Sequence, residues 1–155
     1  MGYIRQVDID VPIDRVWQAW TDRHELERWL AERANVRCEP GGAFELFWQR
    51  ANLNTVGSRI AALEAPRRLV LDWQGTAAFA DLFAGGGPTT VEVRLDPVDT
   101  GTRVTVEQPE TRDVPGWRTY DEWMADAWEE ALIGLKSRCE DEGSSIAARM
   151  AFADV

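Results

Sequence analysis

WRTYDEWMADAWEEALIGLKSRCEDE, residues 117–142, decides how this chain folds. Trp117, Tyr120, Met124, Trp128, Ala131, Leu135 and Cys139 recur at steps of three and four. That spacing puts them on one side of an α-helix, with Leu132 at the edge of the stripe. Asp121, Glu122, Asp126, Glu129, Glu130 and Lys136 fall mostly on the other faces. Pro115 and Gly116 mark the start of the helix and Gly143 its stop. A long helix with so wide and aromatic a stripe needs a large apolar surface to lie on. The preceding residues are expected to supply it as strands.

They do read as strands. Tyr3, Arg5, Val7, Ile9 and Val11 alternate with Ile4, Gln6, Asp8 and Asp10, the pattern of a half-buried strand. Pro12 ends it, Asp14 is placed to cap a short helix carrying Val16, Trp17 and Trp20, and Leu26, Trp29 and Leu30 mark a second. The period then changes to two. Strands are predicted at 35–39, 43–50, 55–64, 68–74, 89–96 and 102–108, and Pro40-Gly41-Gly42 is a turn between the first two. Gly57 is placed for a bulge or a close approach. The segment 75–88 is too apolar for a solvated loop, and Gly85-Gly86-Gly87 makes it a jointed one. It packs as a short helix or caps something. The sum is an α+β domain: a curved antiparallel β-sheet wrapped around a long C-terminal α-helix, with two short helices after the first strand. Residues 1–143 form this single domain, and 144–155 are a C-terminal tail.

Composition narrows the function classes. At 155 residues the chain has the length of one domain with a real core. Its formal net charge of −10 argues against a nucleic-acid backbone or an anionic membrane surface as partner. Eight Trp against two Tyr suit a large core or an apolar pocket. Cys38 and Cys139 form no CxxC, and His24 is the single His, so no metal and no cofactor is expected. The chain opens like a strand rather than a signal peptide, so the reading is a cytoplasmic protein with reduced thiols.

The motifs resemble one family. PIDRVWQAWTD (12–22), LERW (26–29) and GGAFEL (41–46) are similar to the opening segments of the START-like helix-grip (SRPBCC) superfamily, in the branch of the activator of Hsp90 ATPase homologues. Gly57, Ile60, Leu63, Pro66, Arg67, Arg68, Leu69, Val70 and Trp73 resemble its central hairpin. TTV (89–91) and GTRVTV (101–106) resemble the last hairpin, and Trp128, Leu132, Leu135 and Lys136 the C-terminal helix. The resemblance covers about the first nine-tenths of the chain and leaves 144–155 outside it. It implies a cavity between sheet and helix. Relatives use that cavity for apolar ligands, and some are cyclases or hydrolases.

No catalytic residue stands out. His24 reads as a surface or capping residue, Ser58 has no base beside it, and Cys139 lies on the core stripe. Ligand-binding residues are expected where aromatic groups converge: Trp48, Trp73, Phe79, Phe83, Trp117, Tyr120 and Met124. Arg50 and Gln108 join them as polar residues on faces that otherwise read as inward. The expected function is binding of a small hydrophobic or aromatic molecule between the sheet and the C-terminal helix. Two alternatives stand beside it. One is a cyclase or hydrolase in the same cavity, which a buried carboxylate such as Asp72 or Glu107 would favour. The other is a protein-interaction module. A homodimer is left open.

Overall fold

Each strand is built by alternation, and the register makes the alternation add up. In the computed structural model, which describes residues 2–49, 53–142 and 151–152, a five-stranded antiparallel sheet has the order β1-β8-β7-β6-β5. Its strands are β1 (Tyr3–Ile9), β5 (Arg59–Glu64), β6 (Arg68–Trp73), β7 (Thr89–Val98) and β8 (Gly101–Gln108). Val93 pairs with Leu69 on one side and Val106 on the other, and Leu95 pairs with Val104. All five are fully buried, so they form a continuous apolar inner face. The opposite face carries charge. Arg68 meets Glu92 at 2.6 Å, Arg94 meets Glu107 at 3.0 Å, and Arg94 also contacts Glu92.

A second sheet of three strands comprises β2 (Arg33–Val36), β3 (Phe44–Trp48) and β4 (Leu53–Asn54). It joins the first through an isolated bridge between Ala43 and Arg59. β2 begins two residues earlier than the alternation suggests. Glu27 accepts a hydrogen bond from the Ala34 backbone N–H at 3.0 Å, and Ala34 pairs opposite the buried Leu46. Residues 37–42 are taken up by the turn, where Glu39 N–H bonds Arg37 O and Gly42 N–H bonds Glu39 O. A Cβ on Gly42 would lie 2.0 Å from the Arg37 carbonyl oxygen, so only glycine fits there. β4, within a stretch read as loop, pairs Leu53 with Trp48. Gly57 lies in a turn at φ +99, whereas the irregularity in pairing falls between Ile60 and Ala62.

Two short helices, α1 (Ile13–Thr21) and α2 (Arg23–Trp29), follow β1. The cap expected from Asp14 is not made: Pro12 holds the N-cap position of α1, and Asp14 lies in the first turn, where its charge suits the helix N-terminus. Asp22 is the real side-chain cap. It accepts from His24 N–H at 2.8 Å and Glu25 N–H at 3.3 Å, which starts α2 directly after α1.

A turn of 3-10 helix (Ala77–Phe79) and the one-turn helix α3 (Ala80–Phe83) fill the apolar segment between β6 and β7. α4 (Trp117–Asp141) follows β8, with Gly116 at its N-cap in a left-handed conformation, φ +90. Its far end is closed by Glu142 at φ +53. Gly143, the expected stop, lies outside the described residues. The expected stripe is buried throughout: Trp117, Tyr120, Met124, Trp128, Ala131, Leu132, Leu135 and Cys139 all face the core. α4 lies along β1 and touches α1 and α2, so the sheet grips it lengthwise. Among the described residues, no helix is long and apolar enough to cross a membrane.

Candidate functional site

The space between the inner sheet face and α4 is lined with aromatic rings, in two groups. Trp73 from β6 stacks obliquely on Trp128 from α4, with centroids 5.6 Å apart. Trp128 meets Trp20 of α1 at 5.8 Å, and Trp20 meets Trp29 of α2 edge-on at 4.8 Å. Trp48 from β3 closes this group on the far side of the Phe152 ring, which it meets at 6.0 Å. The second group gathers under the segment between β6 and β7. Phe79 contacts Tyr120 at 4.9 Å and Trp123 at 5.1 Å, while Phe83 contacts Tyr120 at 5.3 Å and Trp117 at 5.7 Å. The half-buried Trp123 touches both Phe79 and Phe152, and so links the groups.

The indoles divide by their N–H groups. Trp29 donates to Ala19 O at 2.9 Å and Trp128 to the Tyr3 hydroxyl at 3.3 Å, as expected of core struts. Among the described residues Trp20 Nε1 has no hydrogen-bond partner, while Trp117 lies against the Asp121 carboxylate without a well-formed hydrogen bond. The Tyr120 hydroxyl also has no partner among the described residues, though it lies beside the Trp73 indole. Burial pushes this phenol well above its ordinary pKa, so it is a neutral donor at any physiological pH. The hydroxyls of Thr76 and Thr89, at the two ends of the segment 75–88, are likewise buried with no partner among the described residues. Each such group costs about 1–3 kcal/mol unless something meets it. Their concentration under one segment therefore marks a place where a polar atom of another molecule would be welcome.

Arg112 latches that segment. Arg112 donates to the carbonyl oxygens of Gly87 at 2.9 Å, Pro88 at 3.0 Å and Gly86 at 3.3 Å. Its guanidinium lies 5.1 Å from the Trp117 ring centroid and 5.5 Å from that of Phe83, within cation–π range. Glu110 pairs with it from behind. Phe83 reaches its seat because Gly75 leaves room: a Cβ there would sit 2.4 Å from the Phe83 ring. The sequence pattern did not reveal Arg112, because it lies in a connection with no periodicity.

A surface cleft of about 900 Å³ opens beside the second group, between the start of β1, the end of β8 and the first turns of α4. Gln108 and Trp117 line it, and Asp121 lies within it. Asp121 was expected on an outer face of the helix but is buried, 8% exposed. The first turns of α4 tuck under 109–112, which turns that face inward. Gln108 Nε2 donates to the Asp121 carboxylate at 3.1 Å and to Glu110 O at 3.2 Å, while Gln108 Oε1 is buried with no partner among the described residues. Burial raises the Asp121 pKa, and the Gln108 hydrogen bond partly offsets this. A second cleft of about 760 Å³ lies among α2, β2, β3 and β4, and Trp48 reaches it.

The expected binding residues are therefore distributed over three places. Trp48 and Trp73 belong to the first aromatic group, and Phe79, Phe83, Trp117 and Tyr120 to the second. Met124 is buried on the same helix face. Gln108 lies at the cleft with Trp117, and Arg50 lies outside the described residues. The carboxylates Asp72 and Glu107 are only half-buried, and Glu107 pairs with Arg94 on the outer sheet face. The buried carboxylate is Asp121 instead.

Solved structures show the same architecture. The protein SSP2350 from Staphylococcus saprophyticus superposes with a TM-score of 0.75 at 18% identity, covering 94% of this chain and 96% of that one. The Aha1 dimer from Colwellia psychrerythraea gives 0.73 at 14% identity, covering 90% and 96%. CalU16 from Micromonospora echinospora gives 0.65 at 26% identity, covering 96% and 78%. Comparison with the curated proteins gave no match. The model of the activator of Hsp90 ATPase homolog 1-like proteins matches residues 10–140, which takes in both short helices, every strand but β1, and all of α4 but its last residue. The chain belongs to that family.

Proposed function

We propose that this protein binds a small apolar or aromatic molecule between the sheet and α4, beneath the segment 75–88. One observation carries the reading. Several buried hydroxyls without a hydrogen-bond partner among the described residues, those of Tyr120, Thr76 and Thr89, border an otherwise aromatic interior under a segment latched by Arg112. Ligand sites have this composition: apolar walls with a few polar groups that fix orientation. The closed packing of Phe79 and Phe83 on Tyr120 is the ligand-free arrangement, and entry requires the segment to lift. The helix-grip fold of the family fits such a site.

Native mass spectrometry of gently purified protein, followed by titration of apolar and aromatic compounds against Trp fluorescence, tests the reading. A co-purified mass or saturable quenching is expected. Arg112→Ala frees the latch and is expected to speed association severalfold. Tyr120→Phe removes the unpartnered hydroxyl and is expected to weaken binding of a hydrogen-bonding ligand about tenfold. Absence of any saturable response across a broad compound set would sink the proposal.

A second reading is favoured by Asp121. A buried carboxyl with a raised pKa at the mouth of a cleft is suited to proton transfer, as a cyclase or hydrolase needs. It predicts a change in ligand mass on incubation that Asp121→Asn abolishes while binding persists.

A further inference from the structure

The residue at the centre of the first aromatic group belongs neither to the sheet nor to a helix. Phe152 follows the last residue capping α4 by ten positions, and with Ala151 it lies in a turn outside every described strand and helix. Yet its ring is fully buried. Trp128 meets it edge-to-face, with centroids 4.8 Å apart and planes at 72°. Trp73 lies 5.7 Å away, Trp48 6.0 Å and Trp123 6.1 Å. Two of these indoles come from strands and two from α4, so the phenyl ring sits between sheet and helix, and through Trp123 it adjoins the rings beneath the segment 75–88, where the ligand was placed above.

We propose that Phe152 occupies the seat of the ligand's own aromatic ring, so that the C-terminal residues of this chain compete with the ligand for it. The inference rests on the binding reading above and narrows it to a ligand bearing a flat aromatic ring. Four indoles at 4.8–6.1 Å present faces and edges to a planar group, and a saturated ring or branched chain would forgo those quadrupole contacts. Strand and helix residues in the cage are fixed by their element's backbone hydrogen bonds. Phe152 lies in a turn outside those elements and meets the cage through its ring, so a ligand that supplies equal packing can replace that ring. An occupant tethered to the same chain is present at high effective concentration, and its displacement subtracts from ligand affinity.

The test uses the full chain with 4-fluorophenylalanine at position 152, together with Phe152→Ala and Phe152→Leu. The probes are 2-naphthol and indole, with cyclohexanol as the saturated control. On saturation with 2-naphthol, the fluorine resonance is expected to move from a buried to a solvent-exposed position. Phe152→Ala should bind the aromatic probes at least about tenfold more tightly than the parent chain, a loss of competition worth about 1.4 kcal/mol. Phe152→Leu should fall between them, and cyclohexanol should bind all three chains more weakly than 2-naphthol. If Phe152→Ala does not fold, the fluorine signal of the full-length chain decides alone. Equal affinities with the fluorine still buried in the saturated complex would overturn the competition and leave the binding reading standing. No binding of any aromatic probe by any of the chains would overturn both.

Discussion

Asp121 is the residue whose environment is most at odds with its chemistry. Its carboxylate is buried at the edge of an aromatic interior, with Gln108 Nε2 donating to it at 3.1 Å. Burial raises its folded pKa above the unfolded value near 4. For an acid this sign means that the ionised form costs stability above the folded pKa, and that the cost fades as pH falls through it. Asp121→Asn keeps an oxygen for Gln108 and removes the charge. Denaturant titration at pH 7 is expected to show the variant about 1 kcal/mol more stable than the parent, with the difference closing towards acid. A less stable variant at pH 7 would mean that the carboxylate is a net support. Such trade-offs of stability at a site are usual where a group is kept for function.

At the scale of elements, the two ends of α4 are held differently. Its first turns meet a segment latched by Arg112. Its last turns are tied to α1 and α2 by charge. Glu25 of α2 contacts Arg138 of α4 at 2.9 Å and Arg15 of α1 at 3.0 Å, with all three side chains mostly buried. Glu142 reaches both arginines, at 3.2 and 3.4 Å. The Arg138 hydrogen bond, countered in part by burial and aided by Arg15, holds Glu25 below the usual carboxylate range. The folded pKa is depressed, so this stabilisation is complete above the unfolded value of about 4.3 and is lost as pH falls through the folded one. Glu25→Gln leaves two arginines with only the more exposed Glu142 between them. It is expected to cost about 2 kcal/mol at pH 7 in thermal or denaturant unfolding, and the gap should shrink as the parent is acidified. An unchanged midpoint at neutral pH would show the network to be no stronger than exposed ion pairs. One end fixed and one end latched is the arrangement an opening at the α4 N-terminus requires.

Over the whole molecule, the aromatic groups form one connected core. Six of the eight Trp (Trp20, Trp29, Trp48, Trp73, Trp117 and Trp128) are 2% exposed or less, and rings drawn from sheet, helices and the 152 position touch in series. Unfolding followed by Trp fluorescence and by far-UV circular dichroism should therefore coincide, with a marked red shift as the indoles meet water. Two separated transitions would show that the aromatic groups belong to independent units. The same titration at several protein concentrations bears on assembly. A midpoint that rises with concentration would mark a homodimer, the state named for Aha1 of Colwellia psychrerythraea.

The sequence by itself determined what repeats along the chain. Alternation places Val93, Leu95, Val104 and Val106 on one sheet face, and steps of three and four place Trp117 to Cys139 on one helix face. Local geometry links those spacings to burial without any knowledge of neighbours. Trp48, Trp73, Trp117 and Tyr120, named for the site, follow from the same faces, and Phe79 and Phe83 from the apolar composition of 75–88. Tertiary structure alone decided the rest. Asp121 turned inward because 109–112 cover its face of α4. Arg112 became a latch because its carbonyl partners at 86–88 are brought to it from 24 to 26 residues away. Phe152 reached the centre of the core from a segment read as a tail. Arg112 and Phe152 lie in no periodic element, and Asp121 lies on a helix face that the spacing reads as outward, so each position is set by long-range packing, which a spacing pattern cannot encode.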